Sequence, residues 1–375
     1  MRILQRIGIL VCLFPTLSAF GQETDSLRTL LTKAPPDTAR VSLLAETSIA
    51  YQAVNGDSSL IFAEEGIALA TKLKFAYGHA RCLFCKGVAY DIKGETEKAI
   101  AIITAAREEF RQIGDSTGVA ATTQSMGVAW FYGGDQNKSL AAYTEALSMF
   151  ERLGQDKNVS RTLNNIAIIY RNQQKYEQAI EIYNKAIRVK EKLNDLDGIA
   201  ATHMNLGIAY SYLKDEEKAE SFIRKAMVHY SATGNLRELN SCKAALGVSL
   251  LNQKKYAEAE TMLEASMGPD LDPQLLPIHL LSLAKAEIPM KKFGEAAVHA
   301  REALMALGNE ENMEIRKQIT LEIAVAEAGL GQFESAYRSM LVYDSLSTVV
   351  LSAERMKEIE LLEKKFETKE KDKDL

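Results

Sequence analysis

The residues of this sequence that could do chemistry are few. Cys82 and Cys85 form a Cys-x-x-Cys, the spacing of a redox pair or of half a zinc site. Their surroundings support neither reading. No second Cys or His pair lies nearby at metal spacing. His79, His203, His229, His279 and His299 are scattered, with no i, i+4 pair among them. No phosphate-cradling glycine loop and no nucleophile motif occurs. The expectation is a non-enzymatic chain with no catalytic residue, no metal ligand and no cofactor, in which the two cysteines are structural. The enzyme alternative, a dithiol reductase, has the Cys pair as its sole support.

What positions these residues is a repeat. Gly87, Gly127, Ala167, Gly207 and Gly247 are spaced 40 apart. Twelve residues after each come Ala99, Ser139, Ala179, Ala219 and Ala259, and seven further on Ala106, Ala146, Ala186, Ala226 and Ser266. A fixed period of this length means a solenoid, whose units bury apolar faces against their neighbours and present surface. In that register Cys82 shares its position with Thr122, Thr162, Thr202 and Cys242, and Cys85 with Ser125, Asn165, Asn205 and Ala245.

One unit reads as two helices. His79 to Ile92 and Thr96 to Ile113 carry apolar residues at helical spacing, broken by Gly94 and closed by Gly114 and Asp115. The closing position repeats as Gly114, Gly154, Asn194 and Gly234, residues that tolerate a left-handed helix end. Small side chains are needed where helices cross closely. The first two small columns should therefore press each first helix (A) on its second (B), with the third facing the next unit. Tyr90, Trp130, Tyr170, Tyr210 and Leu250 form a large column between them, and Tyr143 and Tyr183 part of another.

The bulk properties agree. Apolar residues make up 47% of the 375, with only 7 prolines, and the net charge is −5 with no basic stripe. A direct nucleic-acid partner is not expected. Arg2 and Arg6 flank an apolar stretch from Ile7 to Leu17, and Ser18, Ala19 and Gly21 follow. This is the layout of a secretory signal peptide over residues 1–21, cut after Gly21. Cys12 reads as part of its apolar region. Cleavage removes two arginines, leaving 43 basic and 50 acidic residues, or −7. No later segment reaches the ~18 apolar residues that span a bilayer.

Residues 163–188 read LNNIAIIYRNQQKYEQAIEIYNKAIR. This resembles a tetratricopeptide repeat, and Ala167, Tyr170, Tyr176, Ala179, Tyr183 and Ala186 carry its pattern of small and aromatic residues. The longer period of 40 and the missing terminal proline resemble the branch that includes kinesin light chains. The resemblance implies an all-α, right-handed α-α superhelical solenoid of about eight helical hairpins. We expect a lead-in helix at 22–39, the solenoid at 40–343, and a charged helix at 344–375. Residues 354–375 hold 15 charges, and Ile359, Leu362 and Phe366 make one heptad step of a short coiled coil. The repeats continue outward through Ser59, Gly66, Ala296 and Ala336. Pro269, Pro273, Pro277 and Pro289 crowd a shortened step of 37 from Ala259 to Ala296, so the seventh unit should begin irregularly.

The same resemblance implies protein or peptide binding in the concave groove of the A helices. Asn at the place of Asn165 and Asn205 would hydrogen-bond the backbone of an extended peptide, since an amide offers donor and acceptor. Asn164, Arg81, Arg161, Arg171, Asn172, Tyr132 and Tyr212 are assigned to that face by register. The plain alternative is a solvated polar surface. The layout points to an exported scaffold, with the bacterial periplasm as its place. The second expectation is the extracytoplasmic sensory portion of a longer transmembrane signalling protein, of the histidine-kinase or helix-turn-helix kind. The order of leader, long repeats and Lys/Glu-rich helix is similar to such proteins.

Overall fold

A computed structural model describes residues 17–268, 271–308 and 312–371, with side chains from Thr24 to Ser352 and at Arg355 and Met356. Residues 1–16 of the expected leader, Pro269, and the side chains of the heptad residues Ile359, Leu362 and Phe366 lie outside that set. The described residues form seventeen α-helices. They fall into two compact units that divide between Asn205 and Leu206.

The N-terminal unit holds α1 (Leu17–Lys33), α2 (Thr38–Gln52), α3 (Gly56–Leu73), α4 (Ala76–Ile92), α5 (Thr96–Gln112), α6 (Ser116–Tyr132), α7 (Gln136–Arg152), α8 (Asp156–Asn172), α9 (Tyr176–Lys192) and the first part of α10 (Leu196–Tyr212). The C-terminal unit holds the rest of α10 with α11 (Glu216–Thr233), α12 (Leu236–Asn252), α13 (Tyr256–Glu264), α14 (Leu276–Glu287), α15 (Phe293–Leu307), α16 (Met313–Gly329) and α17 (Phe333–Lys371). From α2 onward consecutive helices pair as A and B of eight hairpins among the described residues.

Local signals set the ends. Asp135 caps α7 by accepting from the Lys138 amide at 3.0 Å. The closing turns are left-handed at Gly114 (φ 77°) and Asn194 (φ 51°), as the residue types require. The turns inside the hairpins are left-handed too, at Gln174, Lys214 and Lys254 as well as Gly94 and Gly134. Lysines sit over the large column on the first turn of the B helices, with Lys138 Nζ 4.2 Å from the Trp130 ring centre.

The first small column works as a close crossing. A β-carbon on Gly87 would lie 2.6 Å from Ile103 Cγ1, and one on Gly207 2.5 Å from Ile223 Cγ1. At Gly127 it would meet the Tyr143 ring at 3.0 Å, and at Gly247 Leu263 at 2.6 Å. The contact always falls sixteen residues on; from Ala167 the same step reaches fully buried Tyr183. The second and third columns are fully buried. Ala146 packs in one cluster with Val159 and Leu163 of the following A helix, as the third column should.

Two boundaries differ from expectation. The lead-in helix spans Leu17–Lys33 and α2 already begins at Thr38. The charged segment is no separate element: α17 runs unbroken through 344, because no Gly or Pro interrupts Phe333–Lys371. The seventh hairpin does start irregularly. α13 has only 9 residues, against 17 for α12, and Pro277 stands in the first turn of α14. Among the described residues no helix is long and apolar enough to cross a membrane.

Candidate functional site

The candidate groove residues of the N-terminal unit come from α4, α6, α8 and the start of α10, the A helices that the repeat sets side by side. The asparagines are not an open polar surface. Asn164, Asn165 and Asn205 are only 6%, 7% and 3% exposed, which corrects the reading that they stand free in solvent. Neighbouring side chains cover them: Arg171 Nη1 donates to Asn205 Oδ1 at 3.1 Å. Arg171, Asn172, Tyr132 and Arg81 are half-buried and Arg161 is exposed. Arg81 faces Glu46 at 3.6 Å, while Tyr132 packs edge-on against Phe131. Tyr212, 56% exposed, belongs to the C-terminal unit.

The face is short of hydrogen bonds. Asn164 Oδ1 and Asn172 Nδ2 are buried without a partner. So are three atoms not singled out from the sequence: Asp91 Oδ1, Tyr143 Oη and Tyr183 Oη. Buried polar atoms in native proteins are nearly always satisfied by protein, water or ligand. Burial pushes the Asp91 carboxyl up to about 6, with no opposing charge. Burial also raises the Tyr143 phenol well above its usual range, and the nearby Tyr132 and Asp91 add to this. Asn165 lies beside that hydroxyl and weakly counters the rise, yet no hydrogen bond of good geometry satisfies the oxygen. Tyr183 is raised by burial and held back by Arg171.

A signal for the missed residues was present. Asp91 stands four places after Gly87, as Arg171 does after Ala167. Tyr143 and Tyr183 share a column with Ile103, Ile223 and Leu263, so each adds a hydroxyl where its neighbours are aliphatic.

The other chemistry-bearing groups have internal explanations. Cys82, Cys85 and Cys242 are free, buried thiols. Burial pushes them up to about 11, 12 and 12, which removes the thiolate that redox or metal chemistry needs. Cys82 fills the space above Gly66, whose β-carbon would lie 2.5 Å from its sulfur. In the C-terminal unit, carboxylate oxygens of Glu260, Glu287 and Glu295 lie within 4.8 Å of one another. Lys292 Nζ holds Glu260 at 2.7 Å and His299 Nδ1 pairs with Glu287 Oε1 at 2.7 Å, so protein side chains already bond two of these carboxylates. His79 is likewise paired, with Glu109 at 2.8 Å.

Residues 158–230 match the tetratricopeptide repeat model. Among curated protein sequences none matches the chain. Solved structures share its fold. A signal transduction ATPase with numerous domains, carrying a tetratricopeptide repeat sensor, from Pyrococcus horikoshii is 18% identical with a TM-score of 0.61. That match covers 74% of this chain and 43% of the other. The apo quorum sensor NprR from B. thuringiensis is 13% identical with a TM-score of 0.60, covering 86% of this chain and 92% of its own. Apo RapI is 18% identical with a TM-score of 0.57, covering 73% and 99%. These similarities are of fold, and the fold is an all-α superhelical repeat.

Proposed function

From a chain whose residues 158–230 are tetratricopeptide repeat, we propose a non-enzymatic scaffold that binds a protein or peptide along the A helices of its N-terminal unit. One observation carries the reading. Asp91, Asn164 and Asn172 each bury a polar atom with no protein partner, on the A helices α4 and α8. An extended peptide offers alternating N–H and C=O groups that could satisfy them without the groove reading its sequence. Two structures of the same fold are described as a sensor and a quorum sensor, which fits a repeat that detects a ligand. The test is selection of a displayed random octapeptide library on the chain from residue 22. Selected peptides should bind Asn165→Ala/Asn205→Ala at least about tenfold more weakly. Equal affinity rejects this surface.

Export to a bacterial periplasm is part of the proposal, supported by the leader-like pattern from Arg2 to Gly21. Protein recovered from the periplasmic fraction should begin at Gln22 by mass spectrometry; a cytoplasmic chain that retains Met1 would refute export. The second reading is the sensory portion of a longer transmembrane signalling protein. The observation in its favour is the unbroken 39-residue helix α17, a rigid element able to carry a signal away from the repeats. The coding sequence after codon 375 separates the two. About 20 apolar codons favour the receptor, and a stop codon removes it.

A further inference from the structure

We propose that the C-terminal unit carries a binding site for a hard divalent cation, Ca²⁺ or Mn²⁺, formed by the carboxylates of Glu260, Glu287 and Glu295. The inference concerns that unit alone and is independent of the groove reading above. Glu260 lies on α13, Glu287 ends α14, and Glu295 is in the first turn of α15. One carboxylate oxygen from each lies within 4.8 Å of the other two.

Glu287 is what distinguishes this cluster from an acidic surface. It is fully buried, and among the described residues no donor reaches its Oε2. The next unit shows how the fold completes such a group. Glu327 stands 40 residues on, at the same place in its hairpin, and is buried as well. Both of its oxygens are bonded: Arg301 Nη2 donates to Oε1 at 2.7 Å and Ser339 Oγ to Oε2 at 2.9 Å. At Glu287 the position of Ser339 is taken by His299, whose Nδ1 lies 2.7 Å from Oε1. The position of the cation differs. To Glu327 the preceding B helix, α15, brings the Arg301 guanidinium; to Glu287 the preceding B helix, α13, brings a second carboxylate, Glu260. A buried carboxylate lacking a cation is costly, and like charges beside it add to the cost. A metal ion from solution would supply what Arg301 supplies one unit later.

The donors select the kind of ion. All three are carboxylates, which suit Ca²⁺ or Mn²⁺ better than softer metals. Ca²⁺ holds its oxygens at about 2.3–2.6 Å, so ligands on opposite sides lie roughly 5 Å apart. The 4.8 Å spread of the three oxygens fits within that span. His299, by bonding Oε1, fixes the orientation of the Glu287 carboxylate, the part that outer partners of metal ligands play. An ion enters from solvent, since the Glu295 side chain is 61% exposed and that of Lys292 39%. Lys292 Nζ bonds both oxygens of Glu260, at 2.7 and 2.9 Å, and lies 3.6 Å from Glu295. One ammonium against three carboxylates leaves two negative charges when the imidazole is neutral. Lys292 therefore competes with the metal for Glu260, and its exposed side chain can turn out to water when a divalent ion binds.

The test is equilibrium dialysis of the protein, stripped with EDTA and freed of it, against CaCl₂ or MnCl₂ in about 0.15 M KCl, with bound metal counted per chain. At least one of the two ions should bind at one per chain, with a Kd on the order of 0.1–1 mM. Glu287→Gln should weaken that binding at least about tenfold. Glu295→Gln, at an exposed side chain where folding is not at stake, should do the same. Lys292→Met removes the competing ammonium and should tighten binding by a comparable factor. Thermal melts check that the variants are folded, and Glu295→Gln with Lys292→Met carries the test if Glu287→Gln is not. No metal bound at about 10 mM of either salt overturns the site. Binding that the glutamine variants leave unchanged also overturns it, as diffuse attraction to acidic surface. A Lys292→Met protein that binds no more tightly overturns Glu260 as a ligand, and with it the three-carboxylate site.

Discussion

Arg171 Nη1 donates to Asn205 Oδ1 at 3.1 Å across 34 residues of sequence, tying one A helix to the next. Asn205 is 3% exposed, so the bond is shielded from water. It joins a charged donor to a neutral acceptor, and no carboxylate pairs with Arg171 among the described residues. Asn205→Asp should strengthen the contact and raise stability by about 1 kcal/mol at pH 7. Asn205→Leu keeps the bulk without the acceptor and should cost about 1–2 kcal/mol. Urea midpoints in the order Asp, Asn, Leu are expected; Leu above Asn would mean that the bond adds no stability in solution.

Two glycines of the first small column should respond differently to alanine. At Gly207 the added carbon would lie 2.5 Å from Ile223 Cγ1 and 2.9 Å from the Ala219 carbonyl oxygen, so backbone must move. Gly207→Ala should cost about 2 kcal/mol net, from overpacking of up to ~3 against a helix-propensity gain of about 1. At Gly127 the carbon meets only the Tyr143 ring at 3.0 Å. The chain already carries Ala167 opposite Tyr183 one unit later, so Gly127→Ala should stay within about 1 kcal/mol of wild type. Thermal melts of both variants decide the matter, and equal losses would contradict the geometry.

Lys190 occupies a core position that Phe110, Phe150 and Tyr230 hold in other units. It is 2% exposed, and Nζ donates to Gly198 O at 2.9 Å and Thr202 Oγ1 at 2.7 Å. Phe110 lies against Gly118 in the same way, eight residues on. Lys190→Ala removes both bonds and leaves a cavity, and should cost about 3 kcal/mol. Lys190→Phe restores the aromatic filling of its neighbours and should lie within about 1 kcal/mol of wild type. A phenylalanine variant as unstable as the alanine one would show that the buried amine itself is required.

The packing columns could be read from sequence because backbone approach permits only one size class. Gly87, Ala99 and Ala106 recur as small residues because anything larger collides with the partner helix. The polar face could not be read this way. Its +4 column runs Asp91, Phe131, Arg171, Ser211 and Leu251, a different chemical class at each place. Register located Asn164, Asn165 and Asn205 on their helices, but exposure depends on what neighbouring chains lay over them, and Arg171 covers Asn205. Tyr143 and Tyr183 looked like space-fillers because a ring packs as Ile103 and Ile223 do; the hydroxyl matters only once nothing is found to bond it. The left-handed turns at Gln174, Lys214 and Lys254 were hidden for another reason. The hairpin enforces the turn, and a long side chain there costs only about 1–2 kcal/mol.

His279 should give the C-terminal unit an acid-sensitive step. It is 8% exposed, and its Nδ1 lies 3.1 Å from Ser266 Oγ. Burial lowers its pKa from 6.5 to about 4. Between those values the unfolded chain binds a proton that the folded one refuses, so stability falls as pH drops through this window. The loss from this group should approach about 3 kcal/mol at pH 4. His279→Gln, which cannot take up a proton, should lose that much less between pH 7 and pH 4. Parallel acid dependences for the two proteins would place the imidazole within reach of solvent.

Asp91 has the opposite sign. Its carboxyl is raised from 3.8 to about 6 by burial. The folded state holds a proton longer than the unfolded one, so this group makes the N-terminal unit less stable as pH rises from 4 to 6. The Tyr143 phenol, raised well above its usual range, does not ionise in that window. Above pH 6 the bare carboxylate should cost about 1–3 kcal/mol. Asp91→Asn should therefore melt higher than wild type at pH 7.5 and equally at pH 4.5. A variant no more stable than wild type at pH 7.5 would show that water already solvates Asp91.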